Sequence, residues 1–224
     1  GLHYTGACVP EGMFDGCTKL GAGVELNTWL PKSFNGVGCA AFRKTAFSVD
    51  FDKLESDGMK YYGAYAFFGM PNLESFTLTD NIRLGKLSDN AFTVSESGLK
   101  ELVVNATTVP HQFAPNCKDL RTIVLSDNVS TVESMAFAGS GVTALDIPAN
   151  ITIGVDAFYN CTDLKKVVFH GYTVLEGNNT GSSAFRGCGI EKLEITDGAK
   201  VSCANNSFTG MNDEAVSTLK EIEV

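Results

Sequence analysis

Apolar residues along this chain fall into a recurring phrase: a phenylalanine, a short polar stretch, then Leu-x-x-Ile-x-Leu. Leu120, Ile123 and Leu125 form one copy of the ending, and Leu164, Val167 and Phe169 another. The last part has period two, so it predicts a short strand with one buried face. Turn-forming residues separate the apolar runs, as in "GSG" at 139–141, "NCTD" at 160–163, "SDN" at 126–128 and "PAN" at 148–150. A second apolar step, Val129 and Val132 or Ile151 and Ile153, leads back to the next phenylalanine.

The phrases superimpose. "NAFTVSESGLKELVV", "HQFAPNCKDLRTIVL", "MAFAGSGVTALDI", "DAFYNCTDLKKVVF" and "SAFRGCGIEKLEI" align on Phe92, Phe113, Phe137, Phe158 and Phe185. Looser copies place markers at Phe14, Phe42, Phe67 and Phe208, and the spacings between all nine markers run from 21 to 28 residues. A single copy cannot bury both of its faces, so copies must stack, and self-similarity at this period predicts a repeat solenoid. The expected fold is mainly β and poor in helix: a leucine-rich-repeat, right-handed superhelix of about nine irregular coils, with one short parallel strand per coil. The break at "LNTWLPKSFNG" marks residues 1–35 as a divergent first coil or cap, and residues 36–224 as one continuous solenoid. "KEIEV" closes the sequence on a strand whose charged edge either tolerates exposure or meets further chain.

"ITIGVDAFYNCTDLKKVVF" at 151–169, with Pro148 in "GVTALDIPANITIG", resembles the BspA-type leucine-rich repeat and its Ile-Gly-x-x-Ala-Phe-x-x-Cys-x-x-Leu-x-x-Ile-x-Ile-Pro string. The resemblance covers roughly residues 60–224 well and 1–59 loosely. It departs at "NATTVPHQFAP", where Pro110 and His111 replace the usual run, and at Phe42, which has no clear Leu after it. The family implies secreted or surface-anchored proteins of host-associated bacteria and some protists, linked to adhesion or host-protein binding and not to catalysis.

Composition narrows the function classes. Hydrophobic residues make up 44% and charged residues 19%, which is globular. A net charge of −9 argues against a nucleic-acid partner. No run of eighteen apolar residues predicts insertion into a membrane. The opening "GLHYTGACVP" carries no export signal, so secretion or surface display requires a signal or lipid anchor removed or lying outside this sequence.

Seven cysteines invite metal or redox chemistry. Cys17, Cys161 and Cys188 fall three places after a marker Phe and Cys117 four, while Ser140, Ser95 and Met70 take that place elsewhere. A slot that accepts Cys, Ser or Met is a packing position, and stacked copies about 4.8 Å apart are poorly oriented for a disulfide. Cys8, Cys39 and Cys203 lie outside the register, and a bridge from Cys8 to Cys39 or Cys17 would staple the cap. Without C-x-x-C, H-E-x-x-H, nucleophile elbow or P-loop, and with His3, His111 and His170 far apart, no catalytic, cofactor or metal residue is assigned. Asn-x-Ser/Thr triplets at Asn105, Asn128, Asn150, Asn160, Asn178 and Asn205 are glycan acceptors only in a eukaryotic secreted chain, and are otherwise turn residues.

Function then falls to the outward strand positions. Their middle members form a row: Thr77, Val103, Val124, Asp146, Val168 and Glu194. Lys166 and His170 flank it. Tyr61, Tyr62 and Tyr65 in "KYYGAYAFFG" offer a sugar-stacking platform. The favoured expectation is a monomeric, non-enzymatic adhesion module presenting this face to a protein or glycan. The alternatives are a stalk or spacer repeat of a larger surface protein, and a carbohydrate-binding accessory module. Charged residues at Val103, Val124 and Val168 should then abolish binding and spare the fold.

Overall fold

A computed structural model describes residues 7–87, 90–205, 207–208 and 221–224. The chain winds as a mainly β solenoid of about eight turns. Front strands Ser75–Leu78, Glu101–Val104 and Thr122–Leu125 pair in parallel, and Ala144–Ile147, Lys166–Phe169, Lys192–Ile195 and Glu221–Glu223 form a second parallel ladder. Most turns carry a back strand as well, so the expected single strand per coil is corrected to two. Cys8–Val9, Gly36–Val37, Tyr61–Tyr62 and Arg83–Leu84 stack in one back ladder. Thr108–Val109, Thr131–Val132, Ile151–Ile153, Tyr172–Leu175 and Lys200–Cys203 stack in another. The second apolar step becomes a strand because its amides, covered by neighbouring coils, must be satisfied there too. The back ladder already runs at Cys8–Val9, within the segment set apart as a cap.

The first two turns differ. Their front ladder is reduced to the bridge Glu25↔Ser48, and short helices follow at Leu26–Trp29 and Phe51–Ser56. The second helix starts because Asp50 accepts from the Lys53 amide at 3.0 Å. Asn27 joins the two helices, its side chain accepting from the Asp50 amide at 3.0 Å and donating to the Asp50 carbonyl at 2.6 Å.

Backbone conformation fixes the Phe turn. Residues two before the spine position are left-handed: Ala40 at φ 53°, Tyr65 at 56°, Met135 at 57° and Asp156 at 57°. Two after it, Lys44, Asn116 and Asn160 are left-handed at 61°, 58° and 57°, and Gly16, Gly69, Gly139 and Gly187 do the same. This alternation aims N–H groups along the solenoid axis. The amides of Met135, Phe137 and Gly139 donate to the carbonyls of Val155, Ala157 and Tyr159 in the next turn, at 3.2, 2.8 and 2.6 Å. Ala40, Phe42 and Lys44 likewise donate to Ala64, Ala66 and Phe68.

Inside that turn the buried phenyl rings stack. Phe14–Phe42 and Phe42–Phe67 lie near-parallel at 5.5 and 6.2 Å, and Phe137–Phe158, Phe158–Phe185 and Phe185–Phe208 at 5.2, 5.2 and 5.7 Å. Offset stacking at these separations adds about 0.5–1.5 kcal/mol per pair beyond area burial. In the middle, the hydrogen bonds place Val94 and Ala114 at the spine, one or two residues after the marker rings. Their amides donate to Phe113 and Ala136. Phe92 and Phe113 are therefore displaced from the expected marker position, though both stay buried. Their rings are tilted 42° to each other, and Phe76 packs against both.

The thiol slot is a packing position with its own ladder. The Cys161 and Cys188 thiols donate to the carbonyls of Phe137 and Phe158 in the preceding turn, at 3.2 and 3.0 Å, and Cys117 to that of Val94 at 3.3 Å. Ser140 stands beside Cys161 and Ser97 beside Cys117, so Ser97, not Ser95, fills the slot in that turn. Burial pushes the Cys117 thiol up to about 11, and a bond to Cys161 together with burial holds Cys188 well above the ordinary thiol range. Cys17 departs from the expectation: it is exposed. All seven thiols are free, so the proposed staple from Cys8 is not formed. Where the slot is followed at once by glycine, backbone contact demands it. A Cβ on Gly141 would lie 2.1 Å from the Lys118 carbonyl oxygen, and one on Gly189 2.3 Å from that of Thr162.

The left-handed ladder yields a stability test at Ala40, which is half-buried. Ala40→Gly relieves the conformation and should leave thermal stability equal or higher. Ala40→Val should lower it by about 1–2 kcal/mol in urea unfolding, since a branched Cβ opposes left-handed φ.

Candidate functional site

The front sheet carries the predicted row in register. Thr77, Val103 and Val124 are ladder partners, as are Asp146, Val168 and Glu194. No strand ladder joins Thr122–Leu125 to Ala144–Ile147, so the row falls into two halves. Glu223 extends the second half as the partner of Glu194. That position was missed although "KEIEV" reads as a strand.

The halves differ in chemistry. The first is uncharged along its middle row: Thr77 and Val103 are half-buried and Val124 is 46% exposed. Ser75, Glu101 and Thr122 border it on the solvent side. In the second half Val168 is buried, 6% exposed, which corrects its place among the outward residues. The cause is a roof of long polar side chains. Lys166 reaches Glu194 at 2.8 Å, and His170 Nε2 approaches Asp146 at 3.6 Å. Val168 sits between Lys166 and His170 in its own strand and between Asp146 and Glu194 across the ladder. Lys192 closes the end of the strip against Glu223 at 2.6 Å and Glu221 at 3.5 Å.

Charge states follow from these pairs. The Lys166 ammonium bonded to Glu194 holds that carboxyl below the usual carboxylate range, and Glu223 bonded to Lys192 raises the lysine. Because Glu194 is depressed on folding, its contribution is present above the ordinary Glu pKa and is lost as pH falls through the lowered value. Both groups are half-buried at the rim of the sheet, where solvent still screens them, so the effect is a local opening of the roof, not acid unfolding.

The tyrosines separate. Tyr62 lies in the core, 0% exposed, and burial raises its phenol, so it cannot serve as a contact. Tyr61 is half-buried on the back sheet, its hydroxyl over Gly85. Tyr65 stands at the Phe turn, edge-on to Phe68 at 5.7 Å. His170 belongs to the strip and His111 to the turn side, while His3 lies outside the described residues. Among the described residues no group of three or more His, Cys, Asp or Glu side chains could hold a metal ion. Nor is any described helix long and apolar enough to cross a membrane.

The repeat geometry finds its counterpart in one family. Residues 7–109 and 86–214 match the BspA type leucine rich repeat region, which comprises six copies. The chain belongs to the BspA-type leucine-rich repeat family. Among solved structures, a leucine-rich repeat protein from Bacteroides ovatus ATCC 8483 is 21% identical with a TM-score of 0.56, over 87% of this chain and 57% of that one. A leucine rich cell surface protein from Faecalibacterium prausnitzii A2-165 is 19% identical with a TM-score of 0.47, over 86% of this chain and 65% of that one. The chain thus spans less than two thirds of either structural relative's length. No curated protein matches it.

The roof over Val168 predicts a contrast between two valines of one row. Val168→Asp puts a third carboxylate between Asp146 and Glu194 and should cost about 2 kcal/mol or more in chemical denaturation. Val124→Asp should stay within about 0.5 kcal/mol of the parent.

Proposed function

We propose that this BspA-type solenoid is a non-enzymatic interaction module, secreted or displayed on a bacterial surface, which binds a protein through the first half of its front sheet. The observation that carries the reading is the uncharged row Thr77, Val103 and Val124. It is in register across adjacent strands and free of the Lys166–Glu194 ion pair and the His170–Asp146 contact that flank Val168. An apolar centre with a polar border suits the anatomy of a protein interface. The second half, with Asp146, Lys166, His170 and Glu194, acts as a charged rim that sets orientation and on-rate more than affinity. A monomer suffices for this role, because the solenoid itself supplies a rigid extended surface.

The test is a binding screen of the purified chain against extracellular-matrix and cell-surface proteins, followed by the variant Val103→Asp/Val124→Asp. The variant should keep the parent's circular dichroism and weaken the bound partner by about tenfold or more, as expected for a central contact. Undiminished binding by the folded variant would sink the strip as the interface. A chain that binds nothing in the screen would favour the spacer role within a longer surface protein.

A further inference from the structure

A groove of about 380 Å³ crosses the Phe-turn side of the solenoid, away from the front sheet. Its lining comes from five successive turns, from Tyr65 and Phe68 at one end to Tyr159 and Asn160 at the other. Four steps of about 4.8 Å make it roughly 19 Å long. The register shift described above puts the small, buried side chains of Thr93 and Ser95 among its lining residues.

Three features decide what fits. First, none of the lining residues is Asp, Glu, Lys or Arg, although the chain is 19% charged. Second, hydroxyl and amide groups face the space along its length. Thr93 and Ser95 hydroxyls donate inward, to the Phe113 carbonyl at 2.9 Å and the Pro115 carbonyl at 2.6 Å. The Thr93 oxygen also accepts from the Ser95 amide at 3.0 Å, which leaves it one further lone pair, and the Ser95 hydroxyl keeps its own acceptor capacity. The amides of Asn116 and Asn160 supply both donors and acceptors. Third, aromatic rings stand at both ends and are held in place. Tyr65 packs edge-on to Phe68 at 5.7 Å, and the Arg186 guanidinium lies over the Tyr159 ring at 4.3 Å while bonding Asp156 at 3.3 Å.

We infer that this groove is a binding site for a neutral oligosaccharide, with Tyr65, Phe68 and Tyr159 packing on sugar faces and Thr93, Ser95, Asn116 and Asn160 meeting hydroxyls. A ligand with many hydroxyls, flat apolar faces and no charge matches each feature. An extended peptide matches less well. The turn backbone here already directs amides such as those of Asn116 and Gly139 to the next turn, so no strand edge is open to a peptide main chain. The ordered walls limit the entropy lost on binding.

The test uses the full chain, titrated calorimetrically with neutral gluco-, galacto- and manno-oligosaccharides, with sialylated and sulfated ones alongside. Tyr65→Asn, which suits the left-handed backbone, and Tyr159→Ala are compared with the parent after thermal unfolding shows that both fold. The expected result is binding of a neutral oligosaccharide, weakened about fivefold or more by each variant. The front-sheet variant Val103→Asp/Val124→Asp should bind the sugar as the parent does, which separates this site from the proposed protein interface. Three results would overturn the inference: no neutral oligosaccharide bound at millimolar concentration, binding confined to acidic sugars, or affinity unchanged in both folded groove variants.

Discussion

Each turn of this chain must send backbone N–H groups along the solenoid axis to the next turn, and the rest of the structure depends on that requirement. Left-handed residues on both sides of the spine, such as Met135 and Gly139 around Phe137, aim three amides per turn at the neighbour. Left-handed φ in non-glycine residues is unfavourable, so it persists only where the surroundings determine it. Here the surroundings are a spine ring stacked on the next, a buried alanine such as Ala157 beside it, and a thiol such as that of Cys161 bonded back to the previous turn. Hydrogen bonding, ring stacking and the slot are thus one repeated device.

Because the core is specified turn by turn, the surfaces are left free to carry function. The front sheet separates into a half whose middle row is uncharged and a half roofed by charged and polar side chains, with the change falling where the strand ladder is interrupted. The turn side has its own irregularity. Val94 and Ala114 take the spine position, and the groove opens over the same turns. Departures from the repeat are therefore where this molecule differs from an ideal solenoid, and where binding chemistry gathers.

Much of this was legible in the sequence. The Phe spacing, the period-two strands and the exchange of Cys with Ser sufficed for the solenoid, the inward positions and the thiols as packing. The back strands were legible only as a short apolar step, because segments as short as Thr131–Val132 are too brief to show a period. The shifted spine was hidden because Phe92 and Phe113 keep an ordinary spacing. The one clue was Cys117, four residues after its Phe instead of three. Val168 looked outward because strand alternation says which way a side chain starts, not what folds over it. The groove draws on residues from five turns, of which the sequence marks only Tyr65 and the turn at Asn160 as open to binding.

The central claim is that axial hydrogen bonds at the Phe turns hold the coils in register. Native-state hydrogen exchange of individual amides tests it most directly. The amides of Ala40, Phe42 and Lys44, and of Met135, Phe137 and Gly139, should be strongly protected, those of one turn opening together with a shared free energy. Exchange of these amides near the rate of an unfolded chain, while the front-strand amides stay protected, would contradict the account.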